Sequence, residues 1–177
     1  MNWVADEDAS SEILVTRLIQ VREARSGLQV RFTLLDQFAP ASAEVLWTLS
    51  APGSTYEAIQ AIWTGPEISC PVDISKCSVP IDVARVPLEN ATSFPAAGDL
   101  VLVPVPRGRW KNMPCADIID LGFFYGDGGR LLMPMGWIMG SVCARVVPDD
   151  MSAYQAACVK IRSAGCCDLM FSREQAS

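Results

Sequence analysis

The sequence predicts a mainly β domain, a barrel or sandwich of short strands carrying one short helix and a second helix near the C-terminus. Three observations lead there. From Ser54 to Val147, proline or glycine interrupts the chain every several residues. The apolar runs between them are short: Ala58 to Trp63, Leu100 to Val103, Leu121 to Tyr125 and Val142 to Val147. That rhythm belongs to all-β folds rather than to alternating strand and helix units. Finally, Leu28, Val30, Phe32 and Leu34 alternate with polar neighbours, as on a strand with one buried face.

The elements follow in order. Ile13 to Val21 is rich in Ile, Leu and Val, and Ser26-Gly27 separates it from Leu28 to Leu35, so the two runs read as a β-hairpin. Pro40 after Ala39 suits a first helical turn, and Ala43, Leu46 and Trp47 recur three and four residues apart, giving a helix over Pro40 to Leu49 that stops near Pro52-Gly53. At the other end, Asp149-Asp150 can cap a helix whose buried stripe is Met151, Tyr154, Cys158 and Ile161, with Gly165 as its stop. No repeat or linker divides the chain. The expected organisation is an acidic tail over residues 1–12 and a single domain over 13–177.

Composition narrows the function. Half of the 177 residues are hydrophobic and 19% are charged, far from the composition of disordered chains, and a domain of this size buries roughly 70% of its unfolded surface. The net charge of −6 repels phosphate backbones, and no basic stripe with interleaved aromatics offsets it, so nucleic acid is not an expected partner. Asp6, Glu7 and Asp8 stand where a signal peptide needs a basic start, and no run approaches the ~20 apolar residues of a bilayer span. A cytoplasmic location without membrane contact is expected.

Seven cysteines form no paired zinc spacing. Free, mostly buried thiols are expected, while Cys158 with the adjacent Cys166 and Cys167 leaves open a soft-metal or redox site. Histidine is absent from the chain. This removes Ser-His-Asp and Cys-His nucleophile activation, imidazole metal sites and the commonest general base. Any enzyme here works with carboxylates, Lys, Arg, Tyr or Cys, and neither a metal nor a cofactor is implied.

Two stretches carry a resemblance. Leu28-Gln-Val-Arg-Phe-Thr-Leu-Leu-Asp followed by Gln-Phe-Ala-Pro-Ala-Ser-Ala-Glu-Val-Leu-Trp is similar to the start of the cyclophilin fold, a strand leading through an acidic turn into a helix that plugs one barrel end. Asn90-Ala-Thr-Ser-Phe-Pro-Ala-Ala-Gly-Asp99-Leu-Val-Leu-Val-Pro104 resembles a segment of a bacterial family of small cyclophilin-like barrels, with Phe123-Phe124-Tyr125-Gly126 and Gly136-Trp137-Ile138-Met139-Gly140 in the matching order. The resemblance covers most of residues 13–147. It implies a closed cyclophilin-like β-barrel with one short helix capping an end and a C-terminal helix, and it implies no activity. Cyclophilins use an arginine in the strand after the first helix, a Phe-Met-x-Gln segment and a histidine. Thr55 to Thr64 lacks the arginine, and neither of the others occurs, so cyclophilin-type proline isomerisation is not expected.

Candidate site residues cluster at strand ends. Trp63-Thr64-Gly65-Pro66-Glu67 sets a stacking aromatic beside a hydroxyl and a carboxylate, though Trp63 can equally be core. Glu89, Asn90 and Thr92 precede a Phe94-Pro95 turn, where they can bond their own backbone or face a ligand. Tyr125 ends an aromatic strand, Arg130 follows a Gly-rich turn, and Trp137 lies among adaptable methionines. Arg107, Arg109 and Lys111 form the basic cluster of an otherwise acidic chain.

The leading expectation is a binding module for a small molecule or short peptide, lined at a barrel mouth by Trp63, Thr64, Asn90, Thr92, Tyr125 and Trp137. A rival is a histidine-free enzyme with Glu67 or Glu89 as base and Arg130 as anion anchor. A third is a structural homo-oligomer subunit with an apolar outer surface.

Overall fold

The structure is a computed structural model that describes residues 16–110 and 116–174. Its strands are β1 (Leu18–Glu23), β2 (Leu28–Leu34), β3 (Ser54–Gln60), β4 (Glu67–Asp73), β5 (Ala91–Thr92), β6 (Asp99–Val105), β7 (Ile118–Phe124), β8 (Leu132–Met133), β9 (Gly136–Trp137), β10 (Gly140–Val146) and β11 (Cys166–Glu174). Two α-helices accompany them, α1 (Pro40–Leu49) and α2 (Met151–Ala164).

Eight strands close a barrel in the order β2-β1-β11-β3-β4-β7-β6-β10, with β10 pairing back onto β2. Every pairing is antiparallel. Closure removes the free sheet edges that invite aggregation. The fold class read from the sequence, a mainly β closed barrel with a short helix and a C-terminal helix, is the one observed.

Helix α1 has the bounds that Pro40 and the apolar spacing predict, and its Ala43, Leu46 and Leu49 are buried. It sits over the barrel end where β3 starts and β11 finishes: Tyr56 donates its hydroxyl to Leu49 O at 2.9 Å, and Arg173 Nε donates to Trp47 O at 2.9 Å. Helix α2 covers the opposite end, where Lys160 reaches Ser26 O in the β1–β2 turn at 3.2 Å and Gln60 N donates to Gly165 O at 2.9 Å. Gly165 ends α2 at φ +84°, a conformation glycine takes at no steric cost. Between the helices the barrel interior is filled. Phe32 meets Phe123 and Tyr154 edge-to-face, each with ring centres 5.6 Å apart, and all three side chains are buried.

Strand β1 begins at Leu18; Ile13, Leu14 and Val15 of the expected first strand lie outside the described residues, as does the whole acidic tail. The segment after α2 is a full strand, β11, lying between β1 and β3. Its buried Cys167, Leu169 and Phe171 alternate with the more exposed Cys166, Asp168 and Met170.

Glu89, a catalytic candidate in the sequence, serves the fold. The N-cap of α1 is Ala39, which offers no side-chain acceptor, and Glu89 arrives from far along the chain to accept from Ala41 N at 3.3 Å and Ser42 N at 2.9 Å. A carboxylate at a helix N-terminus satisfies orphan donors and favours the dipole. Replacing it by alanine, Glu89→Ala, is expected to cost about 1 kcal/mol, read as a lowered urea midpoint with an unchanged slope. A Glu89→Gln variant, which keeps an acceptor, should lose less.

Candidate functional site

Strands β4, β7 and β6 are covered on both faces. Ile68, Cys70 and Val72, with Ile119, Leu121 and Phe123, and Leu100 with Leu102, point into the barrel core. The alternate residues build an outer wall. Register sets Ser69 beside Gly122 and Pro71 beside Asp120, and then Gly122 beside Val101 and Asp120 beside Val103. On this wall Val101, Val103, Val105, Phe124, Leu131 and Val142 form a second apolar cluster, against which Trp110, Ile118 and Ile138 pack. The cover is incomplete. It leaves a cavity of about 260 Å³ between the wall, the loop over residues 61–64, Trp110 and the segment over 131–138.

The loops that frame the cavity are fixed by backbone pairing. Arg130 N donates to Thr64 O at 3.0 Å, and Tyr125 N donates to Pro66 O at 3.0 Å. Gln60 uses its amide to hold Ala61 O at 3.0 Å and receives the Tyr125 hydroxyl at 3.1 Å. Gly65, at φ +95°, lies so close to the next loop that a Cβ there would stand 2.9 Å from Gly128 O. Trp63 and Ile62, both largely exposed, form the rim.

Two carboxyls face into this apolar space. Glu67 is only 3% exposed, and its Oε2 accepts from the Thr64 hydroxyl. Asp120 is half-buried against the cavity, and its Oδ1 accepts from Ser69 Oγ at 2.8 Å. Gly122 makes the room: a Cβ at that position would run into Glu67 Oε1. Burial, and secondarily the Asp120 charge, push the Glu67 carboxyl up to about 8 against the Thr64 bond, and burial raises Asp120 against the Ser69 bond. Like charges in one dry site cannot both ionise freely, so the pair holds protons that isolated carboxyls would release. Among the described residues, neither forms an ion pair, and no group of three His, Cys, Asp or Glu is placed to hold a metal.

Of the candidate site residues, Trp63, Thr64 and Glu67 line the cavity together, whereas Glu89, Asn90, Thr92, Tyr125, Arg130 and Trp137 lie outside its lining. Asn90, at φ +44°, donates Nδ2 to Val142 O at 2.9 Å. Thr92 accepts from Phe94 N at 2.9 Å within its turn. Tyr125 is buried with the barrel core, which raises its hydroxyl above the ordinary range. Trp137 is exposed and packs on Phe94 with ring centres 5.1 Å apart. The Arg130 side chain is exposed and turns toward Gly128 O at 3.5 Å. Arg109 lies over Trp110 at 6.0 Å, and Lys111 is outside the described residues. Cys158 and Cys167 are buried free thiols, both raised by burial first, whereas Cys166 is exposed.

Asp120, Ser69 and Gly122 escaped the sequence reading. One signal existed: Asp120 interrupts the apolar run Ile118-Ile119-Asp120-Leu121, and a charge inside a buried strand needs a reason.

Fold and cavity together define a closed β-barrel protein with a carboxyl-bearing cleft on its outer wall. The chain belongs to DUF3830, a family of proteins of unknown function, whose family model matches residues 22–173. No curated protein matches it. Among solved structures it is similar to McbB in complex with tryptophan, with a TM-score of 0.61 and 14% identity, covering 90% of this chain and 45% of that one. The chain thus spans under half of McbB, and at this identity the likeness is one of fold. It is also similar to the hypothetical protein AF2241 from Archaeoglobus fulgidus, with a TM-score of 0.46 and 17% identity over 93% of this chain and 99% of that one. The Mimivirus cyclophilin gives a TM-score of 0.46 and 12% identity over 99% and 97%.

Proposed function

We propose that the chain is a binding barrel for one small, mainly apolar molecule, held in the outer-wall cavity rather than inside the barrel. The observation that carries this reading is an apolar cavity into which Glu67 and Asp120 direct two carboxyls without a cationic partner among the described residues. Apolar walls with a few converging polar groups are the usual composition of a ligand site. Its volume of about 260 Å³ falls just under the ~300–1,000 Å³ of drug-sized pockets, which suits a small molecule better than a peptide. The framing loops are pinned by Gln60, Tyr125 and Arg130, so little ordering is needed on binding.

The test is a nitrogen-15 amide titration against a set of small organic compounds. Binders should move Thr64, Gly122 and the Trp63 indole, and Val103→Phe, which fills the wall, should abolish those shifts while the fold persists. Binders that move only residues around Trp137 or the barrel ends would overturn the reading.

A second reading, that the pair acts as acid and base on the bound molecule, is favoured by the raised Glu67 carboxyl, because both of its protonation states are populated near neutral pH. Proline isomerisation of the cyclophilin kind is not expected under either reading. A peptide isomerisation assay should give rates more than about tenfold below a genuine cyclophilin, since losing one main electrostatic contributor costs ~10²-fold or more.

A further inference from the structure

Resting on the binding reading above, we propose that the molecule taken by this cavity is an apolar organic cation: a protonated amine that sits between Glu67 and Asp120 while its hydrocarbon or aromatic body lies against Val101, Val103 and Trp110.

The hydrogen-bond inventory points there. Each carboxyl has one oxygen satisfied by a neutral hydroxyl, Glu67 by Thr64 and Asp120 by Ser69. The second oxygen of each, Glu67 Oε1 and Asp120 Oδ2, receives no donor from the described residues. Ionised carboxylates are acceptors only, and an ammonium brings up to three donors and no acceptor. One ammonium nitrogen therefore supplies what both free oxygens lack and removes the repulsion between them. With a neutral ligand the pair escapes that repulsion only by keeping a proton, and an anion adds to it. Buried charges persist where they are paired, and a pair made in a dry cleft gains more than the same pair in water.

The surroundings agree with this assignment. No Lys or Arg among the described residues lines the cavity, so none of them competes for the carboxyls. The missing side chain at Gly122 lets the Glu67 carboxyl lie over β7 on the cavity side, where a Cβ would displace it. Below the wall, Cys70 and Tyr154 are the titratable groups that feel Asp120 and Glu67 respectively, and both are held neutral by burial. The rest of the lining is mostly aliphatic, with Met133 and the tryptophans Trp63 and Trp110, and an aromatic face adds attraction for a cation.

Three probes sharing one phenylethyl body test the assignment on the whole chain at pH 7.5: 2-phenylethylamine, 2-phenylethanol and 3-phenylpropanoate, each titrated by amide shifts at Thr64 and Gly122. The amine should bind at least about tenfold more tightly than the alcohol, in keeping with the strength of charge-assisted bonds, and the acid should bind more weakly than either. In Glu67→Gln and in Asp120→Asn the preference for amine over alcohol should shrink to about threefold or less, with alcohol binding retained. If the alcohol matches the amine in the wild-type chain, the cation assignment is overturned while the cavity remains a binding site. If none of the three moves these residues, both the assignment and the binding reading fall.

Discussion

Replacing Phe32 by alanine should remove about 3–5 kcal/mol of stability, the usual cost of deleting a fully buried aromatic from a core that cannot collapse around the gap. Phe32 is completely buried. Its ring is the shared partner of Phe123 on β7 and Tyr154 on α2, so its loss loosens the far wall and the end helix together. It lies on β2, which pairs with β1 on one side and closes the barrel onto β10 on the other, where Phe32 faces Val146. Since a domain of this kind has only about 5–15 kcal/mol in hand, the variant should populate unfolded chain at modest urea concentrations. Phe32→Leu, which keeps most of the volume, should lose about half as much. Urea unfolding followed by tryptophan fluorescence measures both, and a Phe32→Ala loss below about 1 kcal/mol would contradict the packing described.

A second large effect is expected in the pH dependence of stability. Below the ordinary Glu value of 4.5, folded and unfolded chains both hold the Glu67 proton. Between there and about 8 the unfolded chain releases it while the folded chain keeps it. The folded state then binds more protons, so stability falls as pH rises through this window and levels off above it. Asp120, raised for the same reason, adds in the same direction. At about 1.4 kcal/mol per unit of displacement, a rise from 4.5 to about 8 makes the decline on the order of 5 kcal/mol. Asp150, held low chiefly by its bond to Arg31, contributes stability that is lost as pH falls below the ordinary Asp range, which is a separate window. Thermal melts of wild type and Glu67→Gln from pH 4 to 9 read the difference: the variant should be flatter and gain on the wild type toward pH 9. Parallel curves would mean that Glu67 does not hold its proton.

How much of this was legible in the sequence follows the range of the interactions. Helices α1 and α2 and the β1–β2 hairpin rest on near neighbours, and Pro40, Ser26-Gly27, Gly165 and the apolar spacing announce them. Strand β6 shows as a nearly continuous apolar run, and β7 as one interrupted by Asp120 and Gly122, because both of their faces are covered, one by the core and one by the outer cluster. Strand β11 does alternate, in Cys167, Leu169 and Phe171, yet its place between β1 and β3 depends on partners far away in sequence.

The site divides in the same way. Trp63, Thr64 and Glu67 lie within one short stretch and are visible together. Their counterpart Asp120 is brought near only by the β4–β7 register that sets it against Pro71. Asn90, Tyr125 and Trp137 gather at one mouth only on the supposition that a barrel binds through its open end. Here large side chains fill the interior and helices stand over both ends, so the accessible hollow is outside.

The position of β11 also governs how the molecule comes into being. A ribosome delivers β1, β2 and β3 early, but β1 and β3 have no direct pairing with each other and wait for residues 166–174 to fill the gap between them. Until then the nascent chain carries two unsatisfied strand edges beside an incomplete core, the state most open to capture by chaperones or by another copy of itself. Closure must therefore be a late and largely all-or-none event. Its rate is set by the search of one short segment for a slot whose two sides were translated more than a hundred residues earlier.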